Sequence, residues 1–515
     1  MESESDPAST RAERLSGVAL RNVAAATASR VSTVAVGIVL TPIVLAGLGR
    51  EMYGVAQVVN SLYDFISLLR GGLSAALRRY VTLAHHSNRS EEASLYFAVG
   101  FWWSGLLRTG ILLLGWAVAW PLGRFLRLPE SMHAEATFGI VLIIAATVLA
   151  DAGAMFEIPI FATGRTAILS LIRAGATWVR LALTIVAFRV FHPTLPVFGA
   201  VLIVVELVPL LLIIPIAQRM GVVRSVFPRW TSGSDQARRV LFSYGRLAVL
   251  GQAAALLYTS SDSLFIGRIY GAAAVTAYTL GARWSSLIRG FLLASITSLT
   301  PLFTQLEAVG ESHRTRRALT EVVKLSAAVA VPFCLTPCVV GDILLTKWVG
   351  AEYRGSYAYM LAMLAPMTIE VALMPVWMAL RARGRIGWLA VGDMVVAIGN
   401  VLISLVLALG FKLGLLGFAL GNTFAMLAKQ LVLRPRAARR DPEFPPARDY
   451  IGALPRALLG GAPALFALYL ARPYCERGVP ELIVGAGAAG LLCLAGSLYA
   501  TLGTSGIRTL RRRFG

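Results

Sequence analysis

Apolar segments long enough to cross a bilayer follow one another along almost the whole chain, and this feature restricts the fold more than any other. A helix needs about 20 residues to span the hydrocarbon layer. Windows of that length place segments at about residues 17–47, 52–83, 91–122, 134–163, 166–190, 194–217, 239–268, 272–306, 316–340, 354–381, 386–410, 413–433, 450–471 and 480–504. Backbone N–H and C=O groups find no water inside lipid, so each segment must satisfy its own as a helix. The predicted fold class is all-α: a polytopic membrane protein of about 14 transmembrane helices.

Composition says what is left over for chemistry. Of 515 residues, 57% are hydrophobic and 15% charged, against roughly 45–50% and about 25% in soluble domains. No soluble catalytic domain fits beside the spans. No Gly-x4-Gly-Lys-Ser/Thr occurs, so no loop cradles nucleotide phosphates. The expected external loops are short and poor in paired carboxylates, which argues against a membrane polymerase or ligase; the chain reads as no enzyme. Cys334, Cys338, Cys475 and Cys493 form no CxxC pair and the histidines fall in or beside loops, so neither a metal site nor a cofactor is expected. The polar opening MESESDPASTRAERLSG lacks the pattern of a cleaved signal peptide.

The net charge of +21 comes from 48 Lys+Arg against 27 Asp+Glu, and only four of the cations are Lys. In a soluble protein this excess would suggest nucleic acid; here it orients the spans. Loop cations number 27 on one side of the fourteen-span arrangement and 10 on the other. The positive-inside rule then places both termini in the cytoplasm of a multi-pass inner-membrane protein.

Spacing also reveals an internal repeat. SLLRG at 67–71 returns as SLIRG at 286–290, and Gly164-Arg165 returns as Gly384-Arg385 at nearly the same offset. Six spans per copy give both copies one topology, with substrate sites expected near the midplane between them. The predicted organisation is a cytoplasmic segment 1–16, an N-lobe 17–217, a linker 218–238, a C-lobe 239–433, a linker 434–449, spans 13 and 14 at 450–504 and a basic tail 505–515.

LAGLGREMYGVAQVVNSLYDFISLLRGGLSAALRRYVTLA at 45–84 and FATGRTAILSLIRAGATWVRLALTIVAF at 161–188 resemble the multidrug/oligosaccharidyl-lipid/polysaccharide exporter superfamily. The likeness is to its branch of Wzx-type polysaccharide flippases, and the two extra spans are similar to the lipid II flippase pattern. The resemblance implies a two-lobed transporter. Its cargo would be an undecaprenyl-diphosphate-linked oligosaccharide for surface polysaccharide, with membrane lipids and other polysaccharide assembly proteins as partners.

Such cargo carries an anionic diphosphate, and buried arginine suits it. A guanidinium binds phosphate oxygens bidentately and keeps its proton, whereas an Arg facing lipid at mid-bilayer costs about 2.5–3.5 kcal/mol on insertion scales. Arg30, Arg70 and Arg289 fall near span centres and form the expected diphosphate-facing set, unless each pairs with Asp64, Asp151, Glu157 or Asp262. Arg173, Arg180, Arg246 and Arg283 rank second. Asp64 and Asp262 are candidates for ion coupling or structural pairing. A cation-coupled multidrug antiporter of the same superfamily is the alternative, yet its expected first-span carboxylate is missing: that span holds Arg21 and Arg30 and no acid.

Overall fold

The computed structural model describes residues 7–514 except 226, 228–233, 298, 300–302, 304, 307–311, 384–385 and 441–443, and among these the regular structure is helical. The main helices are α1 (Pro7–His86), α2 (Ser90–Phe125), α3 (His133–Ala162), α4 (Thr166–Val190), α5 (Leu195–Arg219), α6 (Ser234–Thr259), α7 (Ser261–Tyr270), α8 (Ala272–Thr297), α9 (Ser312–Val349), α10 (Tyr357–Ala382), α11 (Ile386–Leu405), α12 (Leu415–Ala428), α13 (Arg434–Arg439), α14 (Ala453–Leu470) and α15 (Val479–Phe514). Eleven helices among the described residues are long and apolar enough to cross a membrane. The expected fourteen spans are compatible with them, since the first, Arg21–Phe65, reaches across two expected segments.

The 80 residues of α1 would measure about 120 Å as one straight helix, roughly four times the hydrocarbon thickness. The chain breaks it at Gly49, whose backbone (φ 74°, ψ 172°) is non-helical. That left-handed φ favours a residue without a Cβ, and the break falls between the first two expected segments.

The chain forms two compact units, residues 1–256 with 263–276 and residues 257–262 with 277–515. In the first, α3 lies along α5 and α1 packs on α2, α3 and α4 around a core that includes Leu77, Phe97, Ile158, Ile160 and Ile213. Residues 263–276 are fastened there by hydrogen bonds. Ala272 N–H donates to the Leu126 carbonyl at 3.3 Å, and Thr276 Oγ1 donates to the Arg50 carbonyl at 2.5 Å. A Cβ at Gly54 would run into the Ala272 carbonyl, so this contact requires glycine.

In the second unit, α9 and α10 form the main pair around Leu319, Val331, Leu364, Val371 and Leu380. The hairpin α14–α15 leans on α9 through Val340, Ile343, Leu468 and Leu482. Its helices cross at Gly460 and Gly496, where a Cβ on either would strike the other's carbonyl oxygen. Small residues permit such close approach where no hydrophobic force drives helices together. At the hairpin's turn, Arg472 donates to both oxygens of buried Asp342 (2.8 and 2.7 Å) and to the Val339 carbonyl (2.6 Å), and Arg354 adds a third contact to Asp342 at 3.1 Å.

Two expectations about loop charge are corrected. Lys429 and Arg434 count as loop cations in the sequence, but helical structure continues through both positions as a π-helical stretch, Lys429–Leu433, that runs into α13. Lys429 pairs with Asp393 at 3.0 Å, and Arg434 is 3% exposed. The apolar window ends at 433; the helix does not.

Candidate functional site

In the second unit, four chain segments bring five charged side chains to one buried region. Arg289 comes from α8, Glu370 from α10, Asp393 from α11, and Lys429 and Arg434 from the π-helical stretch and α13. Glu370 is buried and accepts from Arg289 Nε at 2.9 Å and Nη2 at 2.8 Å. The carboxylate thus takes one edge of the guanidinium fork, and the side chain keeps 36% exposure. A π-turn closes its backbone ring between residues i and i+5, which brings Lys429 and Arg434 toward one face.

Pro366, on α10 one turn before Glu370, lacks an N–H and so frees the Ala362 carbonyl from its helical bond. Thr423 Oγ1 on α12 donates to that carbonyl at 2.5 Å. The proline's cost is therefore met by a neighbouring helix, and α10 continues through it.

The charges do not balance. Three cations, Arg289, Lys429 and Arg434, face two acids, Glu370 and Asp393, and each acid already holds one cation. Among the described residues Arg434 has a single hydrogen-bond partner, donating from Nη1 to Gln430 Oε1 at 2.5 Å, while its Nε and the Gln430 Nε2 are buried without one. Glu370 and Asp393 lie within its electrostatic reach. A buried charge without an ion partner of its own keeps its desolvation cost uncompensated. Arg434→Met is accordingly expected to raise the melting temperature of the purified protein; a fall of several degrees would contradict the surplus.

Asp262 is also buried, but its partners are neutral. It accepts from the Tyr278 hydroxyl and from Asn422 Nδ2 at 2.6 Å, and Asn422 Oδ1 accepts from Asn400 Nδ2 at 2.8 Å. Tyr258 O–H donates to the Asn422 carbonyl at 3.0 Å. A carboxylate held by dipoles rather than by a cation suits a proton or a small cation.

The first unit has its own buried pairings. Glu157 accepts two hydrogen bonds from Arg173 and lies 3.7 Å from Arg78, and Asp151 accepts from the Tyr63 hydroxyl. Asp151 and Glu370 are 219 residues apart, the offset that separates Arg70 from Arg289. The same spacing thus separates an acid on α3 from an acid on α10, a signal in the sequence that the arginine reading passes over.

The expected residues divide as follows. Arg289 is paired with Glu370 rather than with any of the four acids first considered for it. Arg30 is exposed on α1. The side chains of Arg70 and Arg246 lie outside the described residues. Arg173 is tied to Glu157; Arg180 lies 5.7 Å over the Phe198 ring; Arg283 is half-buried with its Nε lacking a partner. Asp64 is half-buried, and its backbone carbonyl accepts from Ser67 Oγ at 2.9 Å. Arg30 and Arg70 belong to the first unit and Arg289 to the second. The sequence reading missed Asn400, Asn422 and Tyr278, although amides inside apolar spans are a recognisable polar signal.

The chain is 22% identical over 398 residues to an uncharacterized membrane protein EpsK of Bacillus subtilis (strain 168), covering 77% of this chain and 78% of that one. Its fold is similar to that of the lipid II flippase MurJ in an inward closed conformation, with a TM-score of 0.72 at 12% identity over 95% of this chain and 99% of the other. An inward-facing multidrug resistance MATE family transporter of the MOP superfamily aligns with a TM-score of 0.66 at 13% identity over 82% of this chain and 98% of the other. Residues 19–307, more than half of the chain, match the family described as polysaccharide biosynthesis protein. A multi-pass membrane protein with a transporter fold, the chain belongs to the polysaccharide biosynthesis protein family.

Proposed function

We propose that the protein is a flippase that carries an undecaprenyl-diphosphate-linked oligosaccharide from the cytoplasmic to the external leaflet by alternating access, for surface polysaccharide. The observation that carries this reading is Arg289: a guanidinium whose Nε/Nη2 edge is fixed by buried Glu370 while the side chain stays partly exposed. Such an arginine is oriented before a phosphate arrives and keeps Nη1 for it. Arg30 and Arg70 complete the proposed diphosphate-facing set, with Arg173, Arg180, Arg246 and Arg283 in support. Both termini are proposed to lie in the cytoplasm. In cells lacking the gene, lipid-linked oligosaccharide should accumulate on the cytoplasmic leaflet and the wild-type gene should clear it; normal surface polysaccharide in the deletion strain would overturn the reading.

Asp262 supplies the proposed coupling site, taking up a proton or Na⁺, with Asp64 second. Asp262→Asn keeps an amide in place of the carboxylate but removes the charge. The variant is expected to reach normal abundance while its transport stops responding to an imposed ion gradient, measured in reconstituted vesicles. The same network supports the second reading, a cation-coupled multidrug antiporter. Drug sensitivity of the deletion strain with intact polysaccharide would select it.

A further inference from the structure

One acid of the first unit stands outside the pairings described above. Glu206 lies near the middle of α5, the most apolar of the eleven spanning helices, where a bare charge is expensive and marks a functional site more often than not. At 3.6 residues per turn, positions seven and eleven away share its face. Those positions are Leu195, Gly199, Ile213 and Ala217, all buried. Glu206 therefore lies on the face that α5 turns into the unit, and it is half-buried there. The backbone is polar at the same level: Pro209, inside the helix, lacks an N–H and frees the carbonyl of Val205, the residue before Glu206.

The helices packed on α5 are α3, α4 and α1, and their charged groups are held by others. On α3, Glu135 accepts from the Leu195 N–H at 3.0 Å, Asp151 takes the Tyr63 hydroxyl of α1, and Glu157 takes Arg173. Arg78 of α1 lies 3.7 Å from the same Glu157. On α4, Arg180 is placed over the Phe198 ring and Arg189 stands in the last turn. Arg180 and Arg173 are within electrostatic reach of Glu206, yet among the described residues no hydrogen bond or ion pair reaches its carboxyl. Two guanidiniums are near this acid and neither is bound to it.

We propose that Glu206 is a proton-binding site of the first unit: its carboxyl holds a proton while Glu157 holds Arg173, and releases it when that guanidinium turns to α5. A neutral carboxyl avoids the cost of a bare charge among apolar helices, and an arriving guanidinium removes that cost. Arg173 can make the turn, because its side chain is 55% exposed and not packed in place. A proton suits the site better than a metal cation, since one carboxylate does not supply the several oxygens that a hard cation takes. Among the described residues no group of three His, Cys, Asp or Glu side chains is placed to hold a metal. The site is distinct from Asp262, which belongs to the second unit.

The test uses the full-length protein in proteoliposomes and dicyclohexylcarbodiimide, an apolar reagent that modifies protonated carboxyls, with labelled positions mapped by peptide mass spectrometry over a pH series. In wild type Glu206 should be labelled, the yield falling about tenfold per pH unit above its midpoint, while ion-paired Glu157 resists. Glu157→Gln lets Arg173 go and should cut Glu206 labelling at fixed pH by about tenfold, the equivalent of one pH unit. Adding Arg173→Gln should restore it, and this double variant decides the matter should Glu157→Gln alone fold poorly. Glu206→Gln, a neutral mimic of the protonated acid, should match wild type in abundance and melting temperature. No readout requires transport, so a failure here is separable from a failure of the flippase reading. Absence of Glu206 labelling at acidic pH, labelling that ignores pH, or equal labelling in wild type, Glu157→Gln and the double variant would overturn the proposal.

Discussion

Arg289→Ala alone is expected to cost about 3–5 kcal/mol of stability, the usual result of leaving one member of a buried pair uncompensated. Glu370, buried, loses both of its hydrogen bonds from the guanidinium, and Arg434, though within electrostatic reach, donates none in their place. Loss of transport in that variant would therefore say little about phosphate. The informative variant is Arg289→Met combined with Glu370→Gln, which removes both charges and leaves side chains of similar size. Its melting temperature is expected to return close to that of wild type, and its transport to stay absent. Clearance of lipid-linked oligosaccharide by the double variant at the wild-type rate would show that the pair serves the fold alone.

The second large effect is expected at Asp342→Ala. Asp342 is the anion that holds the α14–α15 turn, and truncating one partner of a buried, hydrogen-bonded charge pair typically costs about 2–5 kcal/mol. The two arginines do not contribute equally. Arg354 has a side chain 67% exposed, and exposed pairs are worth about 1 kcal/mol or less. Arg472, at 23% exposure with two contacts to the carboxylate, carries most of the effect. Arg472→Met should therefore destabilise the protein much more than Arg354→Met. Hydrogen exchange in Asp342→Ala should rise first in α14 and α15; unchanged exchange there would refute the clamp.

Much of the architecture could be read from the chain because bilayer thickness turns hydropathy into a ruler. Among the described residues the expected segments fall mainly on helical structure, and the first two meet near Gly49. The site was legible only in part. Arg289 stood out because a lone cation in an apolar run is costly, but its partner is 81 positions away, and nothing local in the sequence joins them. Arg434 was counted with the loop for a different reason: the apolar window ends at 433, whereas the helical structure runs from the π-helical stretch Lys429–Leu433 into α13 and carries Arg434 with it. Asp262 was visible as an acid, but the neutral character of its surroundings emerged only when Tyr278, Asn400 and Asn422 met around it.

The hydrogen bond from Thr423 to the carbonyl that Pro366 releases has a consequence for descent. The proline alone leaves an unsatisfied carbonyl inside the membrane, and the threonine alone loses its acceptor on α10 and keeps only the longer contact to the Ala419 carbonyl of its own helix, at 3.2 Å. Relatives that lose the proline are expected to drift to valine, alanine or isoleucine at the position of Thr423, and those that keep it to retain a hydroxyl there. Two positions 57 apart in the chain would thus be inherited as a single trait.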